Sequence, residues 1–299
     1  MGQASALTTI RTDPGPRPQD EELDLFGLTH PGKIRRENQD HFMVCTVHRQ
    51  IVIHGTSLQG TDDLPLRSSR LATILLVADG VAGARAGGEA SELALAAITR
   101  YVSTSMECFH TSGRHDDREF DVALQQAALE AHDAVRAEAA TRPGEKRMAT
   151  TLTLAIAVWP EMFVLQVGDS RCYHFQDDTL HLLTRDQTLA QELVDRGALP
   201  AESASRSPLS NVLVSSIGGD ATTPVVTRVG LNRTSAVLLC TDGLTRHVPD
   251  EEIAEHVRAM GSSERLSRVL LDLALERGGT DNVTVLVGRA PVGGKRAST

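Results

Sequence analysis

The sequence predicts an α+β fold in which antiparallel sheets are covered by pairs of helices. Two observations carry that expectation. Short apolar runs rich in β-branched residues come in groups, and the helical stretches stand apart from them in pairs. The order is strands, two helices, strands, one helix, strands, two helices and a last strand. A parallel doubly wound sheet would instead alternate strand and helix strictly.

Taken in order, residues 1–22 are polar, carry Pro14, Pro16 and Pro18, and read as a disordered leader. Strands are expected at 23–29, 42–47, 74–78, 152–158, 163–167, 172–175, 225–229, 237–241 and 283–287, from their length and β-branched content. A helix is expected over 88–102, with Ala90, Leu93, Ala94, Ala97 and Tyr101 on one face. A second covers 119–140, where Phe120, Leu124, Ala127, Ala131 and Val135 recur at helical spacing before Arg142-Pro143-Gly144 stops it. Two more are expected at 250–260, opening after Pro249, and at 263–277, closing on Gly278-Gly279. Residues 48–69, with Gly55, Gly60 and Pro65, read as a long hairpin insertion. The stretch 196–220 is rich in Ser, Pro and Gly and belongs to a flap-like segment over about 190–220. Residues 291–299 read as a flexible tail after a domain spanning 23–290.

Composition narrows the function. With 40% apolar and 23% charged residues the chain is an ordinary globular one, and with 3% aromatics its core must rest on Leu, Val, Ile and Ala. A net charge of −9 argues against nucleic acid as a partner, because phosphate backbones need a basic face. It does not exclude a phosphorylated substrate, since a bound metal reverses the field of an acidic pocket. Cys45, Cys108, Cys172 and Cys240 form no CxxC pair and read as reduced thiols in a cytoplasmic protein. No apolar run reaches the roughly 18–20 residues that span a bilayer, and the first residues lack the order of a signal peptide.

The chemistry lies in aspartates. Asp79, Asp169 and Asp242 each end an apolar run, in Val77-Ala78-Asp79-Gly80, Val167-Gly168-Asp169-Ser170-Arg171 and Leu239-Cys240-Thr241-Asp242-Gly243. Asp40 and Asp281 instead begin runs, in Asn38-Gln39-Asp40-His41-Phe42 and Asp281-Asn282-Val283. In antiparallel pairing the end of one strand lies beside the start of its neighbour, so these carboxylates can converge on one rim. Converged carboxylates repel unless a cation neutralises them, and an all-oxygen set selects Mg²⁺, Mn²⁺ or Ca²⁺ over Zn²⁺. Each Asp could equally be a turn residue after a strand, and spacing alone leaves the two readings balanced.

Further stretches tip that balance. Together with those above, Gly32-Lys33-Ile34-Arg35-Arg36-Glu37-Asn38-Gln39-Asp40, Gly88-Glu89-Ala90-Ser91, Met148-Ala149-Thr150-Thr151, Leu183-Thr184-Arg185-Asp186-Gln187-Thr188 and Gly279-Thr280-Asp281-Asn282-Val283-Thr284 resemble, in order and spacing, the bacterial metal-dependent protein phosphatases of the PPM type, protein phosphatase 2C-like. The resemblance covers the chain from Leu25 to Gly288. It implies a four-layer αββα sandwich of two antiparallel sheets flanked by helix pairs. It also implies hydrolysis of phosphoserine and phosphothreonine in proteins by a metal-activated water, with no covalent intermediate. Asp79 resembles the carboxylate that bridges two Mg²⁺ or Mn²⁺ ions, with the Gly80 carbonyl as a further ligand. Asp242 and Asp281 look like ligands of the first ion, Asp40 like a ligand of the second or a holder of its waters, and Arg35 like the phosphate-binding arginine. Asp169 looks like a ligand of a third ion.

Three positions depart from the family pattern. Many eukaryotic members carry a His after the bridging Asp-Gly that protonates the leaving alkoxide; here the residue is Val81. Ala149 stands where Gly is frequent. Arg246 stands where the family commonly has the second aspartate of the third-metal site, so that site is expected to be weakened, with Arg246 paired to Asp169. The implied partners are phosphorylated proteins and a Ser/Thr protein kinase, met by a monomer. The alternatives are a catalytically weak phosphoprotein-binding scaffold and a phosphatase of an anti-sigma-factor antagonist.

Overall fold

Alternation along the strands sorts the apolar side chains into three cores, and three cores require four layers. The computed structural model describes residues 14–50, 67–81, 85–111, 117–142 and 148–291. The strands are β1 (Asp24–His30), β2 (Asp40–Gln50), β3 (Arg67–Asp79), β4 (Leu152–Val158), β5 (Glu161–Val167), β6 (Arg171–Gln176), β7 (Thr179–Leu182), β8 (Val225–Gly230), β9 (Ala236–Cys240) and β10 (Val283–Arg289). The helices are α1 (Arg85–Thr111), α2 (Asp117–Ala140), α3 (Leu189–Asp195), α4 (Ala201–Ala204), α5 (Asp242–Thr245), α6 (Asp250–Arg258) and α7 (Ser263–Glu276).

The strands form two antiparallel sheets, β1-β10-β9-β6-β7 and β2-β3-β4-β5-β8. In β3, Ile74, Leu76 and Ala78 point into a core under α1 and α2, while Leu75 and Val77 point between the sheets. In β9, Leu238 and Cys240 face α6 and α7, while Val237 and Leu239 face the inter-sheet core. Both faces of both sheets are thus covered, and the order of layers is α1–α2, sheet, sheet, α6–α7. The αββα expectation holds.

Several boundaries move. β7 was missed because its four residues are mostly exposed and carry no apolar run. β2 and β3 extend to Gln50 and Arg67 as a pair, since each supplies the other's ladder bonds. Asp242 does not end a strand; it opens the one-turn helix α5. Residues 14–22, read as leader, lie against the sandwich where the structure describes them. Pro18 is buried, its carbonyl accepts from Arg70 Nη2 at 2.8 Å, and Glu22 pairs with Arg233. Residues 1–13 of the leader, 51–66 of the expected hairpin insertion and 292–299 of the tail lie outside the described residues.

Candidate metal centre

Asp40 and Asp79 are brought together by strand register. Asp40 begins β2, Asp79 ends β3, and the two are direct antiparallel partners. The backbone of Asp79 is held from β4's approach: its carbonyl accepts from Thr151 N and Thr150 Oγ1, each at 2.8 Å, and its N–H donates to Thr151 Oγ1 at 3.0 Å. That is what the Met148-Ala149-Thr150-Thr151 stretch does; Ala149 fits there, its carbonyl accepting from Val81 N. Ser91, buried on α1, donates to the Gln39 carbonyl at 2.6 Å and so ties the helix to the start of β2.

Asp40 is oriented from the other sheet. Its Oδ2 accepts from Thr241 Oγ1 at 2.9 Å and from Thr284 Oγ1 at 2.7 Å. Its Oδ1 is buried with no hydrogen-bond donor, and so is Asp242 Oδ1. Asp242 and Asp281 meet because α5 packs on the start of β10. Gly243 permits this: a Cβ there would stand 1.9 Å from the Asn282 carbonyl oxygen.

Asn282 also clasps the loop that carries Arg35. Its Oδ1 accepts from Gln39 N, and its Nδ2 donates to the carbonyls of Pro31 and Glu37. Arg35 grips Asp281 with both arms of its fork, Nε to Oδ1 at 2.8 Å and Nη2 to Oδ2 at 2.7 Å. The expected hydrogen-bonded pair of Arg246 with Asp169 does not form; Arg246 engages Asp242 and Asp281 instead. It lies four residues after Asp242 on the same turn, so it pairs with Asp242, and its Nη1 donates to Asp281 Oδ2 at 3.0 Å.

Asp79, Asp169, Asp242 and Asp281 line one open cavity of about 500 Å³, with Arg35, Arg246 and Val81. The expected flap borders it through Asn211 and Leu213, and β-bridges between Thr188 and Leu213 and between Thr150 and Ile217 pin that segment. Burial pushes Asp40 up, to about 7, against the pull of the Thr284 and Thr241 hydroxyls, with repulsion from Asp242 added. Burial, then repulsion from neighbouring aspartates, holds Asp79 and Asp169 well above the usual carboxylate range. Burial also raises Asp242, with Arg246 opposing it.

A hard divalent cation fits this donor set. Among the described residues no three His, Cys, Asp or Glu side chains close into a finished cage. The aspartates do converge, however, and two of their buried oxygens lack a donor, which a cation would satisfy. A thiol nucleophile does not fit. Cys240 precedes Arg246 by six positions, the spacing of a Cys-x₅-Arg phosphate loop, but it is buried facing α6 and α7 and burial pushes its thiol far up. The sequence reading missed Thr241, Thr284 and the buried role of Asn282. Each lies next to a singled-out Asp or within a quoted motif, which is the only signal the sequence offers for them.

Known proteins resemble this chain in sequence and fold. The sequence profile for protein phosphatase 2C matches residues 56–274. The serine/threonine phosphatase stp of Listeria innocua is 32% identical over 260 residues, covering 87% of this chain and 92% of that protein. The crystal structure of the Mycobacterium tuberculosis serine/threonine phosphatase PstP/Ppp is similar with a TM-score of 0.70 and 27% identity, over 90% of this chain and 99% of that one. The catalytic domain of PstP in complex with two manganese ions is similar with a TM-score of 0.67 and 26% identity, over 90% of this chain and 98% of that one.

Proposed function

This chain belongs to the protein phosphatase 2C family, and from that premise we propose that it removes phosphate from phosphoserine and phosphothreonine in proteins by metal-dependent hydrolysis. The carrying observation is the convergence of Asp79, Asp169, Asp242 and Asp281 on a cavity that also holds the Arg35 guanidinium, with Asp40 paired to Asp79 behind it and orphaned oxygens on Asp40 and Asp242. In this reading Asp79, the Gly80 carbonyl, Asp242, Asp281 and Asp40 would together hold two Mg²⁺ or Mn²⁺ ions, with Asp40 acting directly or through water. The two-manganese complex of the PstP catalytic domain supports that count. When bound, such ions would lower the pKa of a water and offset charge on the phosphoryl oxygens, chemistry that calls for no covalent intermediate.

The chain's own residues do the rest. Thr241 and Thr284 orient Asp40, and the Thr150–Thr151 clasp sets the Asp79–Gly80 backbone. Arg35 transfers its fork from Asp281 to two phosphoryl oxygens, a match of planar donors to tetrahedral acceptors. Val81 has no proton to give, so the leaving alkoxide takes its proton from water or from another group. The positive charge of Arg246 acts on Asp169 and weakens a third ion there. Residues 23–290 form the phosphatase domain, with 190–220 as its flap. Phosphorylated proteins are its substrates, a Ser/Thr kinase its counterpart, and a cytoplasmic monomer its form. No helix among the described residues is long and apolar enough to cross a membrane.

Release of p-nitrophenol from its phosphate with Mn²⁺, abolished by chelator and by Asp79→Ala or Asp242→Ala, is the expected result. Turnover that survives chelation would sink the metal-dependent mechanism, and turnover equal to wild type in either variant would remove that aspartate from the site. The engagement of Asp242 and Asp281 by Arg246 favours one rival, a weak relative that binds phosphoproteins as a scaffold. Phosphopeptide binding without any Mn²⁺-dependent turnover is the outcome that would select it.

A further inference from the structure

We propose that Arg246 is a second phosphate-gripping residue, closing with Arg35 on the phosphoryl group of the substrate. This rests on the phosphatase reading and adds a substrate-binding residue to it. Asp281 Oδ2 accepts from Arg35 Nη2 at 2.7 Å and from Arg246 Nη1 at 3.0 Å. The two guanidiniums reach it from different elements, Arg35 from the loop before β2 and Arg246 from the end of α5. Two guanidinium donors that converge on one carboxylate oxygen can equally receive an oxygen of a phosphate monoester dianion.

Charge supports the same assignment. Two guanidiniums held this close repel each other unless an anion lies between them. Asp281 supplies that anion at full capacity. Its Oδ1 accepts from Arg35 Nε and Asn282 N, and its Oδ2 from Arg35 Nη2 and Arg246 Nη1, so all four lone-pair positions are taken. A phosphoryl group with three oxygens and a higher charge is the stronger partner for the pair of forks. When both forks move to it, Asp281 regains open lone pairs and becomes free to ligate a cation. Arg246 lines the cavity with Arg35 and is about a third exposed, so it can make that move without leaving its turn.

The competing role for Arg246 is that of a counter-ion to Asp242 and Asp281 alone. The test measures inorganic phosphate binding by calorimetry at saturating Mn²⁺, with kcat and KM for p-nitrophenyl phosphate, in wild type, Arg246→Ala, Arg246→Gln and Arg246→Lys. Expected are a phosphate Kd and a KM raised about tenfold in the Ala and Gln variants, the loss of one charge-assisted contact. The Lys variant, which keeps the charge but not the fork, should recover part of that loss. A counter-ion would behave otherwise: the neutral variants would bind Mn²⁺ more tightly, while phosphate Kd and KM stayed within about twofold of wild type. That pattern overturns the proposal while leaving the phosphatase reading intact. Wild type that neither binds phosphate nor turns over with Mn²⁺ overturns both.

Discussion

At the scale of single residues, Asp40 shows how the site is prepared. It is buried, one oxygen is held by two hydroxyls and the other has no donor. Thr284→Val keeps the shape and removes one of those donors. It should cost about 1–3 kcal/mol of stability and weaken Mn²⁺ binding, read by thermal melts and calorimetry. An unchanged Mn²⁺ affinity would count against the orienting role. Arg35→Ala should raise KM for phosphorylated substrates more than it lowers kcat, because its fork binds the phosphoryl group in ground and transition states alike. Unaltered steady-state constants would remove Arg35 from the site.

At the scale of elements, the site depends on how α5, β10 and the loop before β2 are pressed together. Gly243→Ala places a methyl 1.9 Å from a backbone oxygen, which no side-chain rearrangement relieves. The variant should lose several kcal/mol, about 3 or more, and unfold at a clearly lower temperature. A wild-type melting temperature would show that α5 can shift. The sheets are less sensitive at any one residue, but Leu154, almost wholly buried between β4 and the α1–α2 layer, should cost about 2–5 kcal/mol as Leu154→Ala. Most elements were legible because period-2 alternation and helical spacing are local signals. β7 was not, since a short exposed strand carries no apolar run, and α5 was not, since one turn is too short for a period to register.

At the scale of the molecule, the buried carboxylates link stability to pH and to metal. Asp40, Asp79, Asp169 and Asp242 all have raised pKa values, chiefly from burial, so the folded protein binds more protons than the unfolded chain. Their stabilising protonation is complete below the unfolded value of about 4. It is lost as pH rises through the folded values, about 7 for Asp40. In chelator, melting temperature should therefore fall between about pH 5 and 8, and saturating Mn²⁺ should flatten or reverse that slope by replacing the protons. A flat profile in chelator would refute the linkage. The sequence by itself determined the α+β class and singled out the aspartates, because composition, periodicity and short motifs are properties of neighbouring residues. Only the tertiary structure decided that Thr284 orients Asp40 from 244 positions away, and that Arg246 holds Asp242 and Asp281 rather than Asp169. Those relations depend on strand register and on a single helical turn, which bring together groups whose spacing along the chain carries no trace of the contact.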